Sequence, residues 1–327
     1  IRIYGYDKIP QSQSFSGMQM NPRPERKIHL SAIRHALCHQ GYQEVVAYSF
    51  IDKKMQQLFD PKMTPKELLN PMTADMSVMR TSLWPGLVNT LLYNRHRQQT
   101  RIRIFETGLR YIEKNGYLEQ QNMIAGLIYG DVLPQQWGVT SRKVDFFDLK
   151  GDVESLIHLT LDPQRFEFKA GSHTALHPGQ AADIYRHGDY LGTMGKLHPV
   201  IAQELDLDGD VFLFELFLDK ISDASLPIFK EISKFPEIRR DIAIIIDQAI
   251  PASKIRDTIT NEAGELLQAL NIFDVYQGKG IKEGHKSIAL SLVLQHASRT
   301  LVDEEVAALM ERIIFVLKEK FAAEPRG

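Results

Sequence analysis

Two sets of histidines have the spacing of metal ligands. His35, Cys38 and His39 fall on one predicted helix, where residues four apart lie one turn from each other and could bind zinc. No glutamate lies inside this set as in an H-E-x-x-H motif, and no further ligand is evident, so a solvated helix face is the simpler interpretation. His173 and His177 have the same spacing in a predicted loop, where hydrogen bonds that shape the loop are the simpler interpretation.

A glycine-bearing segment, Gly278-x-Gly280-x-x-x-Gly284, imitates a phosphate-binding loop. Such a loop must run from a strand into the N-terminus of a helix. Both flanking segments here are predicted strands, so we predict a hairpin turn instead. The sequence contains no G-x-x-x-x-G-K-S/T loop and no G-x-S-x-G nucleophile motif, and Cys38 inside a helix is a poor nucleophile.

Two predicted strands near the C-terminus carry polar and aromatic side chains at alternating positions. In F-D-V-Y at 273–276, alternation sends Asp274 and Tyr276 to one side. In the next strand, aliphatic side chains at positions 288, 290, 292 and 294 leave Ser287 on the open side. An exposed tyrosine can stack on an unpaired base, and Asp and Ser can hydrogen-bond base edges. An ordinary solvated sheet has the same pattern, so the residues alone leave both interpretations open.

Basic residues around these strands could reach phosphates at the same face, namely Lys279, Lys282, Lys286 and Arg299. The overall charge gives no such signal, because the formal net charge is −2. The segment from Ser233 onward is also balanced, with 13 Lys/Arg and 14 Asp/Glu. Any nucleic-acid function must therefore depend on local clustering.

The composition of the chain indicates an ordinary globular protein. Its 327 residues predict two or three domains, and the proportions of 43% hydrophobic and 24% charged residues argue against disorder and fibrous repeats. No apolar run is long enough to span a membrane. One cysteine excludes a disulfide framework, and a reducing, cytoplasmic setting is expected. The start at Ile1 indicates a piece of a longer protein.

The elements divide at about Pro227 to Pro236. We predict a linker and remnant of a preceding domain at 1–24. Residues 25–230 have helices at 25–40 and 85–97 and strands mostly joined to strands, which predicts an α+β class with an antiparallel sheet and packed helices. The apolar side chains of these two helices predict a partly exposed surface for a partner.

Residues 233–327 have the order β-α-β-β-α of a ferredoxin-like α/β sandwich. A strand at 239–246, a helix at 251–263, strands at 271–276 and 285–295, and a helix at 303–321 give this order. A sixth element is not clear, because Pro325 makes a closing strand after the last helix doubtful.

The chain resembles the C-terminal portion of the bacterial phenylalanyl-tRNA synthetase β subunit over essentially its whole length. The last 95 residues are similar to the family's ferredoxin-fold anticodon-binding domain, through S-K-F-P at 233–236, R-R-D at 239–241, L-L at 266–267, F-D-V-Y at 273–276, E-G-H-K-S at 283–287, R-T-L at 299–301 and D-E-E-V at 303–306. The upstream part is similar to its class II-like core, through 1–10, Y-S-F at 48–50, N-P at 70–71, R-T-S-L-W-P-G-L at 80–87, F-E-T-G at 105–108, F-D-L-K-G at 147–151, H-P-G at 177–179 and L-H-P at 197–199.

The resemblance implies a subunit of an (αβ)₂ heterotetramer that joins phenylalanine to its tRNA using ATP and magnesium. It implies that the α subunit holds the active site and is the partner of this chain, while the core at 25–230 is a non-catalytic class II synthetase relative. The sequence agrees, because it lacks a glycine-rich segment ending in arginine. No catalytic residue, metal or cofactor is therefore expected in this chain, and no DNA partner. The editing domain of the family would precede Ile1.

The resemblance also implies that Tyr276 stacks on an anticodon base with Asp274 and Ser287 beside it. One departure is Val302, where the family usually has threonine; valine cannot cap a helix, so the cap either passes to Asp303 or is lost. Two other functions remain as alternatives: an autonomous class II ligase, and a general single-stranded RNA-binding module without a synthetase partner.

Overall fold

Strand pairing separates the chain into two units. The computed structural model describes residues 2–10, 25–227, 229 and 231–326, and its units are Ile1–Pro227 and Ile228–Gly327. Most of the linker predicted at 1–24 lies outside the described residues; in the described part, Tyr6–Lys8 forms one 3₁₀ turn. No helix within these ranges is long and apolar enough to cross a membrane.

The first unit is built on a mixed but mostly antiparallel sheet. Its strands are β1 Gln43–Glu44, β2 Phe50–Ile51, β3 Val78–Met79, β4 Ile102–Lys114, β5 Tyr117–Tyr129, β6 Phe166–Ala170, β7 Leu176–Arg186, β8 Asp189–Leu197 and β9 Val211–Phe217. Seven of them form one sheet in the order β1-β4-β5-β9-β8-β7-β6, and β2 and β3 pair separately. Among the strand pairs of the described residues, β1 and β4 alone run parallel. The predicted antiparallel sheet is therefore confirmed.

Helices cover both faces of this sheet. They are α1 Leu30–His39, α2 Lys53–Phe59, α3 Trp84–Arg95, α4 Phe146–His158, α5 Pro199–Glu204 and α6 Leu218–Ile221. One core cluster joins Leu37 of α1 and Leu156 of α4 to sheet residues such as Phe214. A second cluster joins Leu87 and other residues of α3 to the opposite face.

The first helix is shorter than predicted. It begins at Leu30 rather than near residue 25, because the preceding backbone pairs with another segment. The Ile28 N–H donates to the Ser222 carbonyl at 2.7 Å, and Lys27 forms a bridge with Asp223. Those bonds need extended backbone, which a helix cannot supply.

The prediction that the two helices expose their apolar faces is wrong. The apolar residues Ile33, Leu37, Leu87 and Leu91 are buried in the two core clusters. Many of the large exposed apolar side chains of this unit lie in connecting segments, among them Val46, Leu69, Met72 and Trp137, although Tyr93 of α3 and Phe147 of α4 are exposed as well. Amphipathic helices that pack on a sheet turn their apolar stripe to that sheet, which removes the stripe from any partner surface.

The second unit is a βαββαβ sandwich. Its elements are β10 Ile238–Asp247, α7 Ala252–Ala263, β11 Leu267–Tyr276, β12 His285–Leu294, α8 Asp303–Phe321 and β13 Glu324–Pro325. The strands form an antiparallel sheet in the order β11-β12-β10-β13. Both helices pack on one face over a core that includes Ile244, Leu290 and Ile313.

The closing strand, made doubtful by Pro325, does form. Pro325 and Glu324 pair with Ile244 and Ile245 of β10. Because β13 is the edge of the sheet, a proline there removes no bond from an interior ladder.

The last helix begins without a side-chain cap. Val302 is its N-cap residue, and its side chain makes no capping hydrogen bond. The cap does not pass to Asp303, whose carboxylate accepts from Arg240 at 2.9 Å. The carboxylate of Glu305 accepts a hydrogen bond from the Val302 N–H at 3.5 Å, which is the one capping contact from a side chain at this helix start among the described residues.

Candidate nucleic-acid interface

The helix-free face of the C-terminal sheet carries the predicted tyrosine. Tyr276 pairs with Ser287, and Asp274 pairs with Ala289. Directly paired residues share a face, and the alternate residues of β12 at 288, 290, 292 and 294 are buried against the helices. The predicted division of β12 into an aliphatic face and a small polar face is therefore confirmed.

A β-bulge decides which way Tyr276 points. Ile272 pairs with Leu290 on the core face, and the register then shifts before Asp274. Phe273 is the extra residue and is exposed. Without the bulge, Tyr276 would keep the same face as Ile272, since both positions are even. The bulge thus turns Tyr276 and Asp274 to the helix-free face.

The hydroxyl of Tyr276 is anchored while its ring remains accessible. The side chain is 36% exposed, and its hydroxyl donates to the Lys279 carbonyl at 3.3 Å. Gly278 permits this approach, because a Cβ at that position would lie 2.7 Å from the hydroxyl oxygen. A ring held at one end offers a fixed surface for stacking.

The two polar neighbours of Tyr276 differ in accessibility. Asp274 is exposed, so its carboxylate can accept hydrogen bonds from a ligand. Ser287 lies on the predicted face but is only 4% exposed, because it sits on the central strand between β11 and β10. In the unbound chain, Ser287 lies between the longer side chains of Tyr276 and Ile245, with which it is paired.

The structure brings two of the four predicted basic residues to this region. Lys279 and Lys282 are exposed in the β11–β12 turn that anchors Tyr276. Arg299 follows the far end of β12, and the seven steps along the strand from Ser287 to Leu294 span about 24 Å. Its guanidinium is held by both carboxylate oxygens of Glu305, at 2.7 and 2.9 Å, and this hydrogen bonding raises the pKa of Arg299.

Lys286 lies on the opposite face from Tyr276. It pairs with Ile246, which is buried in the core. Its ammonium donates to the Gln248 carbonyl at 3.0 Å and to the Ile250 carbonyl at 2.7 Å. Partial burial lowers the pKa of Lys286. The ammonium therefore holds the segment between β10 and α7 and does not face the side of the sheet that carries the tyrosine.

Sequence reasoning missed Arg326, which lies over the ring of Tyr276. The guanidinium carbon is 5.2 Å from the ring centroid. No motif indicates this contact, because the two residues are far apart in sequence and the strand that carries Arg326 to the face was itself doubtful.

The histidine sets have the structural roles expected of them. His35, Cys38 and His39 are exposed on α1. The Nδ1 atoms of His173 and His177 accept from the N–H groups of Ala175 and Gly179, as the loop interpretation predicts. The described residues contain no group of three or more His, Cys, Asp and Glu side chains that could hold a metal ion.

Buried charges of the first unit neutralise each other. Arg80 pairs with Glu106 at 2.8 Å, and Arg103 with Asp152 at 3.1 Å. Burial raises the pKa of Glu106, while the Arg80 guanidinium opposes that rise. Such pairs fix packing and offer no open group to a substrate.

Two family models together match most of the chain. The model described as phenylalanyl tRNA synthetase beta chain CLM domain matches residues 9–218. The model described as ferredoxin-fold anticodon binding domain matches residues 233–326.

Similar proteins are named phenylalanine–tRNA ligase beta subunit. That of Hahella chejuensis is 43% identical over 326 residues, which is 100% of this chain and 41% of that protein. Those of Nitrosococcus oceani and Pseudomonas putida are 45% and 46% identical, over 98% of this chain and 41% and 40% of theirs. The chain thus spans about two fifths of the length of these relatives.

Among solved structures, a pyrrolysyl tRNA synthetase from Desulfitobacterium hafniense aligns with this chain at 17% sequence identity and a TM-score of 0.43. The alignment covers 60% of this chain and 66% of the synthetase chain. That likeness is too weak to carry an argument. The family models match both units in order, and on them the chain belongs to the family of phenylalanyl tRNA synthetase beta chains, with a ferredoxin-fold anticodon binding domain at its C-terminal end.

Proposed function

We propose that this chain is the part of a phenylalanine–tRNA ligase β subunit that binds the anticodon region of the phenylalanine tRNA and assembles with the catalytic α subunit. The surrounding enzyme is a cytoplasmic (αβ)₂ heterotetramer that aminoacylates tRNA. We assign its use of ATP and magnesium to the α subunit. The names of the relatives and the two family matches support this proposal.

One observation carries the anticodon part of the proposal. Tyr276 stands at 36% exposure on a helix-free sheet face, with the carboxylate of Asp274 beside it and Lys279 and Lys282 at the adjoining turn. A tyrosine ring supplies stacking for any base, a carboxylate can accept from an exocyclic amino group, and lysines approach phosphates. Together they suit a single-stranded loop of RNA.

Assembly with an α subunit is supported by family membership and by exposed apolar residues in the connecting segments of the first unit. Co-purification of the chain with its α subunit tests this part directly. A chain that stays separate from α at high concentration would contradict it.

The anticodon part is tested with Tyr276→Ala in the assembled enzyme. Loss of stacking worth about 1–3 kcal/mol should raise the apparent KM for tRNA roughly 5- to 150-fold. Phenylalanine-dependent pyrophosphate exchange should be unchanged, because that step uses no tRNA. The control is Phe315→Ala, which removes an aromatic ring that is 64% exposed on α8, in the helix layer.

Two results would contradict the proposal. One is an equal tRNA KM for Tyr276→Ala and Phe315→Ala. The other is tRNA binding that does not change when the anticodon bases are replaced, which would favour a general single-stranded RNA binder.

A further inference from the structure

Strand β13 and the following Arg326 lie along the edge of the sheet opposite Tyr276. The Arg326 N–H donates to the Ala243 carbonyl at 2.8 Å, which continues the pairing of β13 with β10. In the sheet order, β13 and β11 are opposite edges, three strand spacings or about 14 Å apart. Arg326 and Tyr276 therefore start from opposite sides of the face.

Their side chains meet above the two central strands of the sheet. The Arg326 guanidinium carbon lies 5.2 Å from the Tyr276 ring centroid, within the range of a cation–π contact. The strands between them present Ala243, Ser287 and Ala289 to this face, together with the larger Ile245, which pairs with Ser287 and Glu324. The small side chains at 243, 287 and 289 leave room beside Ile245 for a planar group above the sheet.

We propose that Arg326 and Tyr276 are the two walls of a slot that holds one unpaired base of the tRNA, sandwiched between the guanidinium plane and the phenol ring. The inference rests on the proposed anticodon binding and adds Arg326 to the contacting residues. Arginine guanidinium planes and aromatic rings are the groups on which proteins stack unpaired bases.

The geometry requires only a small opening. Stacked planes lie about 3.4 Å apart, so a base between two walls needs about 6.8 Å, which is about 1.6 Å more than the present 5.2 Å. Arg326 can supply this movement, because its side chain is exposed. Tyr276 stays fixed through its hydroxyl bond to Lys279.

The slot is tested by tRNA binding to the assembled enzyme carrying Arg326→Ala, Arg326→Lys or Tyr276→Ala. Both Arg326 variants should weaken binding about 5- to 10-fold, because lysine keeps the charge but lacks the planar group. Arg326→Ala keeps the backbone N–H that pairs with Ala243. The control is Arg312→Ala, which removes one positive charge from the helix layer and should leave binding nearly unchanged.

A double variant tests whether the two walls act on one base. Tyr276→Ala with Arg326→Ala should weaken binding by less than the product of the two single effects, since either change alone already destroys the sandwich. Independent, multiplying effects would contradict the slot.

Other outcomes separate the slot from the function on which it rests. Wild-type affinity for Arg326→Lys would make Arg326 a phosphate contact, and tighter binding by Arg326→Ala would make it a lid; either overturns the slot. If Tyr276→Ala weakens binding while Arg326→Ala does not, the slot alone is wrong. If Tyr276→Ala also has no effect, both the slot and the proposed anticodon binding are wrong.

Discussion

Replacing Glu215 by alanine should strongly destabilise the first unit. Glu215 is buried on β9, and one carboxylate oxygen accepts from the Ser82 hydroxyl at 3.0 Å and the Leu83 N–H at 2.7 Å. The other oxygen accepts from Arg110 at 2.8 Å. Leu83 precedes α3 and has no capping side chain. Glu215 of β9 thus places a negative charge at the N-terminus of α3, where such a charge stabilises the helix.

The magnitude follows from what each substitution removes. Alanine at 215 leaves the Arg110 guanidinium without its carboxylate and two buried donors unsatisfied, and breaking one partner of such a pair costs about 3–5 kcal/mol. Glutamine keeps an oxygen for Ser82 and Leu83 and loses only the charged bond to Arg110, which costs about 1.5–3 kcal/mol. Alanine should therefore be worse than glutamine.

Urea unfolding followed by tryptophan fluorescence reports on this unit alone. The chain has two tryptophans, Trp84 and Trp137, and both belong to the first unit. Trp84 is 1% exposed and its indole donates to the Phe214 carbonyl at 3.0 Å, whereas Trp137 is 102% exposed and should change little on unfolding.

The control for this experiment is Glu204→Ala at the exposed end of α5, which should change stability by less than about 0.5 kcal/mol. A loss for Glu215→Ala below about 1 kcal/mol, or equal to that of the control, would refute the argument.

Two further predictions concern the titration of His173 and the partly buried ammonium of Lys286. The His173 ring packs edge-on against Trp84 with ring centroids 4.9 Å apart, and burial lowers the pKa of His173. As the pH falls, this histidine is therefore protonated in the unfolded chain before it is protonated in the folded chain. The stability that His173 contributes is full above about pH 6.5 and is lost as the pH falls through the lower pKa of the folded state. His173→Asn should flatten that part of the curve of urea midpoint against pH, and an unchanged slope would count against this cause. Lys286→Met should destabilise the second unit, because the carbonyls of Gln248 and Ile250 lose their donor; faster hydrogen exchange of the β12 amides would show this. The same variant should leave the salt dependence of tRNA binding unchanged. A shallower salt slope would instead indicate that Lys286 contacts a phosphate.

The short-range pattern of apolar and polar residues was enough to predict the main elements of the second unit. The alternation of aliphatic residues along β12 and the i, i+4 spacing in α7 and α8 are periodic properties of single segments. They predicted the β-α-β-β-α order, the face of Ser287 and the burial of the residues at 288, 290, 292 and 294. The same alternation, taken only over 273–276, put Tyr276 on the open side.

Whether a group is accessible depended on neighbours distant in sequence. The bulge at Phe273 is defined only by the pairing of β11 with β12, and Ser287 is buried because its strand is central in the sheet. The ammonium of Lys286 donates hydrogen bonds to two carbonyls in the segment that follows β10. Spacing within one segment carries no information on such contacts.

The sequence by itself determined the two-unit organisation and the residue types of the candidate interface, since both follow from short-range patterns and family motifs. Only the tertiary structure decided that Arg326 reaches Tyr276, because that contact requires β13 to close the sheet beside β10 and two side chains to extend from opposite edges. A pairing between residues about fifty positions apart depends on strand order and register, which are properties of the assembled sheet.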